Sequence, residues 1–178
     1  MVQSVQCDQL NALDYFKIRL DNKGRIIFVD DAYLEFTGFD IADLILEPFH
    51  KLMFLGDNVF FRIFTKNVLD GESRYFIALM RKNNGRCFWA LLKSTKYEHS
   101  GGTYRYLIEI KMLPIASVEK IKNIADSVLK IEEEVGIDYA EKYFDGFLED
   151  KGINFTDFVY QLLETGPKQL EKYFKLKK

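Results

Sequence analysis

Few residues in this chain combine the type and the spacing that chemistry needs. The two histidines, His50 and His99, have no cysteine or carboxylate partner at the spacing of a metal site or an activated nucleophile. His99 precedes Ser100-Gly101-Gly102 and reads as an exposed turn residue. His50 follows Pro48-Phe49 and reads as a surface or capping histidine. The alternative is axial ligation of a haem iron by its neutral imidazole. Asp30, Asp31 and Glu35 gather at a predicted helix start, where capping and dipole compensation account for them ahead of acid/base work. Asn83-Asn84-Gly85 is a hairpin turn, not a loop that cradles phosphate. Cys7 and Cys87 lie far apart, without metal-ligand spacing, and are expected as two reduced thiols. No catalytic constellation is legible, and an enzyme is not expected.

What the chain does have is aromatic surface. Aromatic residues make up 15% of the 178, mostly Phe and Tyr, enough either to fill a large core or to line a pocket for a flat ligand. Trp89, the single tryptophan, falls on a predicted central strand and packs either in a core or interface or against a flat cofactor. Phe28, Phe36, Phe60, Phe61, Phe64 and Tyr106 are candidates to line the same cavity, with plain core as the simpler reading.

The rest of the composition is that of a globular chain, 48% hydrophobic and 29% charged. A formal net charge of −2 gives no nucleic-acid footprint, and the lysines from Lys175 to Lys178 read as a solvated tail. Met1-Val2-Gln3-Ser4-Val5 does not open a signal peptide, and no apolar run of about 18 residues is present. The expectation is a cytoplasmic protein with no direct membrane insertion.

The elements that would position these residues follow from periodicity. Ser4 to Asp14 reads as an amphipathic lead-in. Phe16, Ile18 and Leu20 alternate with charged residues as a strand, Asn22-Lys23-Gly24 turns the chain, and Arg25 to Val29 forms a second strand. Asp30 or Asp31 caps a short helix that ends at Gly38, and Asp40 caps another. Asp57 or Asn58 starts a longer helix that Gly71 terminates. Three strands follow, around residues 73–80, 86–95 and 104–112. The last has one apolar and one mostly polar face, as in a sheet covered on one side. Beyond Pro114 the pattern becomes helical. Ser117 is a candidate cap for the first helix and Asp138 with Glu141 a capping box for the second. Asn154 or Thr156 opens a third helix, ending at Gly166, and Pro167 starts a fourth. The fold class is α+β: a five-stranded antiparallel sheet with short helices over one face, then an all-α C-terminal extension. The expected divisions are a helical lead-in over 1–14, a sensor domain over 15–114 and the extension over 115–178.

Four stretches in order, Asp21 to Ala32, Phe36 to Phe39, Glu47 to Leu52 and Arg81 to Trp89, resemble the PAS family of sensor domains. The resemblance covers roughly Tyr15 to Leu113. Within the family it is nearest the flavin-binding PAS domains of bacterial energy-taxis receptors, through Lys82-Asn83-Asn84-Gly85 and Phe88-Trp89. Where that subfamily carries Arg-His-Pro-Asp-Met-Pro, this chain has Phe54 to Val59 and keeps only Asp57. The resemblance implies a sensory module that binds a small ligand or cofactor, FAD as the first guess. It would pass its state to a signalling partner such as a chemotaxis-type receptor and would form a homodimer. The alternatives are a cofactor-free adaptor for dimerisation or docking and, more distantly, a haem-bound gas sensor. The candidate cofactor-binding residues are Phe28, Asp30, Phe36, His50, Asp57, Phe61, Phe64, Trp89 and Tyr106.

Overall fold

The computed structural model describes residues 6–175. The first positions of the lead-in, the signal-peptide reading of residues 1–5 and the solvated-tail reading of residues 176–178 lie outside that range.

Strand β1 (Tyr15–Leu20) buries every second residue, and Asp21 turns the chain by accepting from the Lys23 and Arg25 amides, both at 2.9 Å. Strand β2 (Ile26–Val29) returns antiparallel to it. Helix α1 (Asp31–Thr37) starts at Asp30, whose Oδ1 accepts from the Tyr33 amide at 3.0 Å while Oδ2 accepts from the Lys17 amide at 2.8 Å. One carboxylate therefore caps the helix and ties it to β1. Gly38 closes α1 in the left-handed conformation, φ 76°. Two 3-10 turns (Ile41–Asp43, Phe49–Leu52) lead to α2 (Val59–Phe64), which widens into a π turn over Thr65–Leu69. The α2 cap is Asn58, buried, accepting from the Phe60 and Phe61 amides.

Strands β3 (Tyr75–Arg81), β4 (Cys87–Glu98) and β5 (Tyr104–Met112) complete a five-stranded antiparallel sheet in the order β2-β1-β5-β4-β3. Cross-strand register puts Phe16, Ile110, Leu92 and Phe76 in one row on the inner face, toward α1 and α2. The next row, Lys17, Glu109, Lys93 and Tyr75, lies on the outer face.

Four helices follow: α3 (Ile115–Val135), α4 (Ile137–Lys151), α5 (Phe155–Leu163) and α6 (Pro167–Lys175). They fold back over β3 and the outer face, and their core (Val128, Ala140, Phe144, Phe158, Val159) is continuous with that of the sheet. The outer face is therefore covered on its β3–β4 side, where Tyr75 and Lys93 of that row meet α6 rather than water.

Several local expectations are corrected. Residues 6–14 form no helix; an isolated parallel bridge pairs Asp8 with Phe88, and a turn follows at Ala12–Leu13, where the Asp14 amide donates to the Asn11 carbonyl at 3.0 Å. Cys7 and Cys87 are not reduced thiols but a disulfide, because that bridge brings their Cα atoms to 4.7 Å. Ser117 lies inside the first turn of α3, buried, and donates to the Leu162 carbonyl at 2.9 Å instead of capping. Asp138 and Glu141 make no capping box; α4 begins at Ile137 after Gly136, and both carboxylates face Arg62 on α2. Helix α5 ends at Leu163, with Glu164 in the left-handed conformation, before Gly166 is reached.

Candidate functional site

The inner face is where the ring-rich segments converge. Alternation on β1 and β4 aims Phe16 and Phe88 inward, and the helical spacing of α1 brings Tyr33 and Phe36 onto them. Phe16 meets Tyr33 edge-on at 5.6 Å and stacks on Phe36 at 5.6 Å, and Phe36 meets Phe88 edge-on at 5.0 Å. A second cluster forms where the 3-10 turn after Pro48 faces α2: Phe49 stacks on Phe64 at 5.1 Å, and Phe64 meets Phe76 edge-on at 5.1 Å. Tyr33, Phe49, Phe64 and Phe88 are all 0% exposed. Burial pushes the Tyr33 hydroxyl pKa up, so it stays neutral; that hydroxyl has no hydrogen-bond partner among the described residues.

The candidate residues do not converge on one cavity. Phe36 belongs to the first ring cluster and Phe64 to the second, with Phe61 beside it at 6.5 Å. His50 stands edge-on to Phe61 at 5.0 Å, half-buried. Tyr106 donates to the Leu69 carbonyl at 2.8 Å, pinning the π turn to β5; burial, with Tyr104 beside it, pushes its pKa up to about 12. Asp30 is occupied as a cap. Asp57 is exposed and leaves the capping of α2 to Asn58. Phe28 is 43% exposed at the β2 edge, and Trp89 lies on the outer face beside Leu79.

An isoalloxazine between the sheet and α2 would need the volume held by Phe49, Phe64 and Phe88, and a polar edge to match its heteroatoms. One orphan tyrosine hydroxyl does not supply that edge. The residues present do not fit a flavin, and a porphyrin at His50 meets the same ring cluster.

The outer face carries the polar groups that sequence reading missed. Tyr75 Oη donates to Glu171 Oε1 at 2.6 Å, Arg74 reaches the same oxygen at 3.1 Å, and Lys93 Nζ reaches Oε2 at 3.1 Å. Hydrogen bonding from Tyr75, then from Lys93, holds the Glu171 carboxyl below the usual carboxylate range against the opposing effect of burial. Lys93 also lies 3.8 Å from Glu109, which accepts from the Tyr15 hydroxyl. Lys111 donates to the Tyr173 carbonyl at 2.9 Å, and Tyr173 Oη donates to the Met112 carbonyl at 2.9 Å. Helix α6 is thus docked through charge-assisted hydrogen bonds around the buried side chains of Leu170 and Phe174. The alternation of β3–β5 placed these residues on one face; nothing local in the sequence announced that Glu171 would meet them.

Among known proteins, no family model matches the chain, and no curated protein matches it. Solved structures do. The blue-light photoreceptor Aureochrome1 LOV domain, in its light state, superposes with a TM-score of 0.51 at 15% identity, covering 62% of this chain and 91% of that one. The PAS domain of an HTR-like protein from Haloarcula marismortui gives 0.47 at 18% identity, covering 55% and 80%. A variant of Vivid gives 0.46 at 17% identity, covering 61% and 87%. At these identities the likeness is one of fold.

Proposed function

We propose that this PAS-fold protein is a cofactor-free signalling adaptor, with residues 15–114 as the docking module and 115–178 as the segment that relays its state. One observation carries this reading: the space between sheet and helices, where a ligand would sit, is filled by the chain's own rings, four of them wholly buried. The relay would run through the outer face, where α6 is held by the Tyr75–Glu171–Lys93 network. By resemblance, the partner class is a signalling protein such as a chemotaxis-type receptor, alongside a second copy of this chain. No reaction is assigned. No helix among the described residues is long and apolar enough to cross a membrane. A cytoplasmic location belongs to the same proposal.

The test is the absorption spectrum of the purified full chain, followed by thermal melts with added FAD and with added haemin. A protein transparent in the visible, with an unmoved midpoint, is expected. Stoichiometric flavin or haem absorption, or a ligand-dependent rise in midpoint, overturns the adaptor reading and restores the sensor one.

A further inference from the structure

We propose that the Cys7–Cys87 disulfide is a thiol–disulfide exchange site, attacked at Cys7, whose opening releases the N-terminal strap from the outer sheet face beside Trp89. The inference uses only residues of the outer face and is independent of what fills the interior.

The two cysteines are unequally protected. Cys87, the first residue of β4, is 1% exposed, whereas Cys7 is half-buried and lines a groove of about 330 Å³. The groove is walled by Leu10, Trp89, Met112 and Val118, with Lys122 among its charged residues. An exchanging thiolate approaches in line with the S–S bond, so accessibility selects the sulfur attacked. The thiolate of a small thiol such as glutathione attacks Cys7 Sγ and forms a mixed disulfide. The Cys7–Cys87 bond breaks, and Cys87 leaves as a thiolate that takes a proton from water. A second thiolate then attacks the mixed disulfide, releasing Cys7 and the oxidised small thiol. Two electrons pass to the protein, and two thiols of the reductant become one disulfide.

Cleavage has a structural consequence because few other contacts hold residues 6–10, the described part of the strap. The Asp8 amide donates to the Cys87 carbonyl at 2.8 Å, and its carboxylate meets Arg86 at 2.5 Å and Lys82 at 3.1 Å. Arg86 is exposed, and ion pairs open to water contribute little; the Lys82 side chain is more shielded, at 18% exposed. Leu10 is the one deeply buried side chain among the described residues of the strap. The disulfide is the fastener; the Asp8 contacts set the register. On the cytoplasmic location proposed above, to which this one point is tied, a disulfide is mostly transient or redox-sensing, which fits a bond reached through an open groove.

The experiment uses the full chain, oxidised and then treated with glutathione or a dithiol. Thiol titration of the oxidised protein should find no free cysteine, and mass mapping of the trapped glutathione adduct should place it on Cys7. On full reduction, hydrogen exchange over residues 6–10 should lose its protection, and Trp89 emission should shift to the red and become open to acrylamide. Far-UV circular dichroism should stay unchanged, which separates strap release from unfolding. Emission intensity alone is not the readout, because neighbouring sulfur quenches an indole. Two free thiols after oxidation, an adduct on Cys87, or a strap that keeps its protection when reduced would each overturn the proposal.

Discussion

Replacing Phe64 with alanine tests the filled interior directly. Phe64 is 0% exposed and lies between the rings of Phe49 and Phe76, each 5.1 Å away. An aromatic side chain of this kind hides roughly 150–250 Å². At about 25 cal/mol per Å² that corresponds to about 4–6 kcal/mol, an upper figure because the unfolded chain already buries part of its surface. Core Phe→Ala substitutions cost about 3–5 kcal/mol, so a loss of about 4 kcal/mol is expected. In a chain of this length that lowers the melting temperature by roughly 8–16 °C. Urea titrations followed by Trp89 emission and by far-UV circular dichroism give the value. Phe28→Ala is the comparator: its ring is 43% exposed, and a change of about 0.5 kcal/mol or less is expected. The variant interior should also take up benzene, as engineered apolar cavities do, where the parent does not. A Phe64→Ala loss below about 1.5 kcal/mol, or equal losses at the two positions, would refute the packed-core reasoning.

Replacing both cysteines with serine opens a loop whose ends are 80 residues apart, for which the chain-entropy model gives a loss of about 4.5 kcal/mol. A loss under about 1 kcal/mol in urea titrations of the oxidised parent against the variant would contradict it. Asn58→Ala removes the acceptor of two amides at a buried cap and should cost about 1–2 kcal/mol by the same measurement. Glu171 has its folded pKa depressed from an ordinary 4.5, so its contribution is present above that value and fades as the pH falls through the lower folded pKa. The melting temperature of Glu171→Gln should therefore approach that of the parent as the solution is acidified below pH 4.5; a gap that stays constant with pH would count against the network.

The sheet was legible because alternation is a local signal. Tyr106, Ile108 and Ile110 declare their face two residues at a time, and Asn84-Gly85 fixes the hairpin between β3 and β4. Caps that need only neighbours, Asp30 and Asn154, were legible for the same reason. What failed depends on distant partners. Asp138 looks like part of a capping box until Arg62, from α2, comes to meet it. Cys7 and Cys87 look unrelated until a single backbone bridge sets them side by side. The candidate site is a different case. Phe28, Trp89 and Phe64 have the chemistry of a flat-ligand pocket, but whether rings line a cavity or fill it depends on how side chains from six elements interlock, which no spacing in one strand records.

Both faces of the sheet are occupied, and this limits how an adaptor of this shape could work. A partner cannot add to the inner face without emptying the aromatic core, at a cost comparable to the protein's whole stability. The outer face is different, because its cover is uneven. Helices α3, α4 and α5 share a continuous apolar core that includes Val128, Phe144 and Phe158. Helix α6 is short and buries Leu170 and Phe174, and much of its hold comes from hydrogen bonds that join its Glu171 and Tyr173 to Tyr75, Lys93, Lys111 and the Met112 carbonyl. A partner helix would have to offer two apolar side chains, a carboxylate, a hydroxyl donor and a carbonyl acceptor to replace those contacts. On the adaptor reading α6 is therefore the element with the smallest exchange cost, and the Tyr75–Lys93 row beneath it is the surface a displaced α6 would surrender.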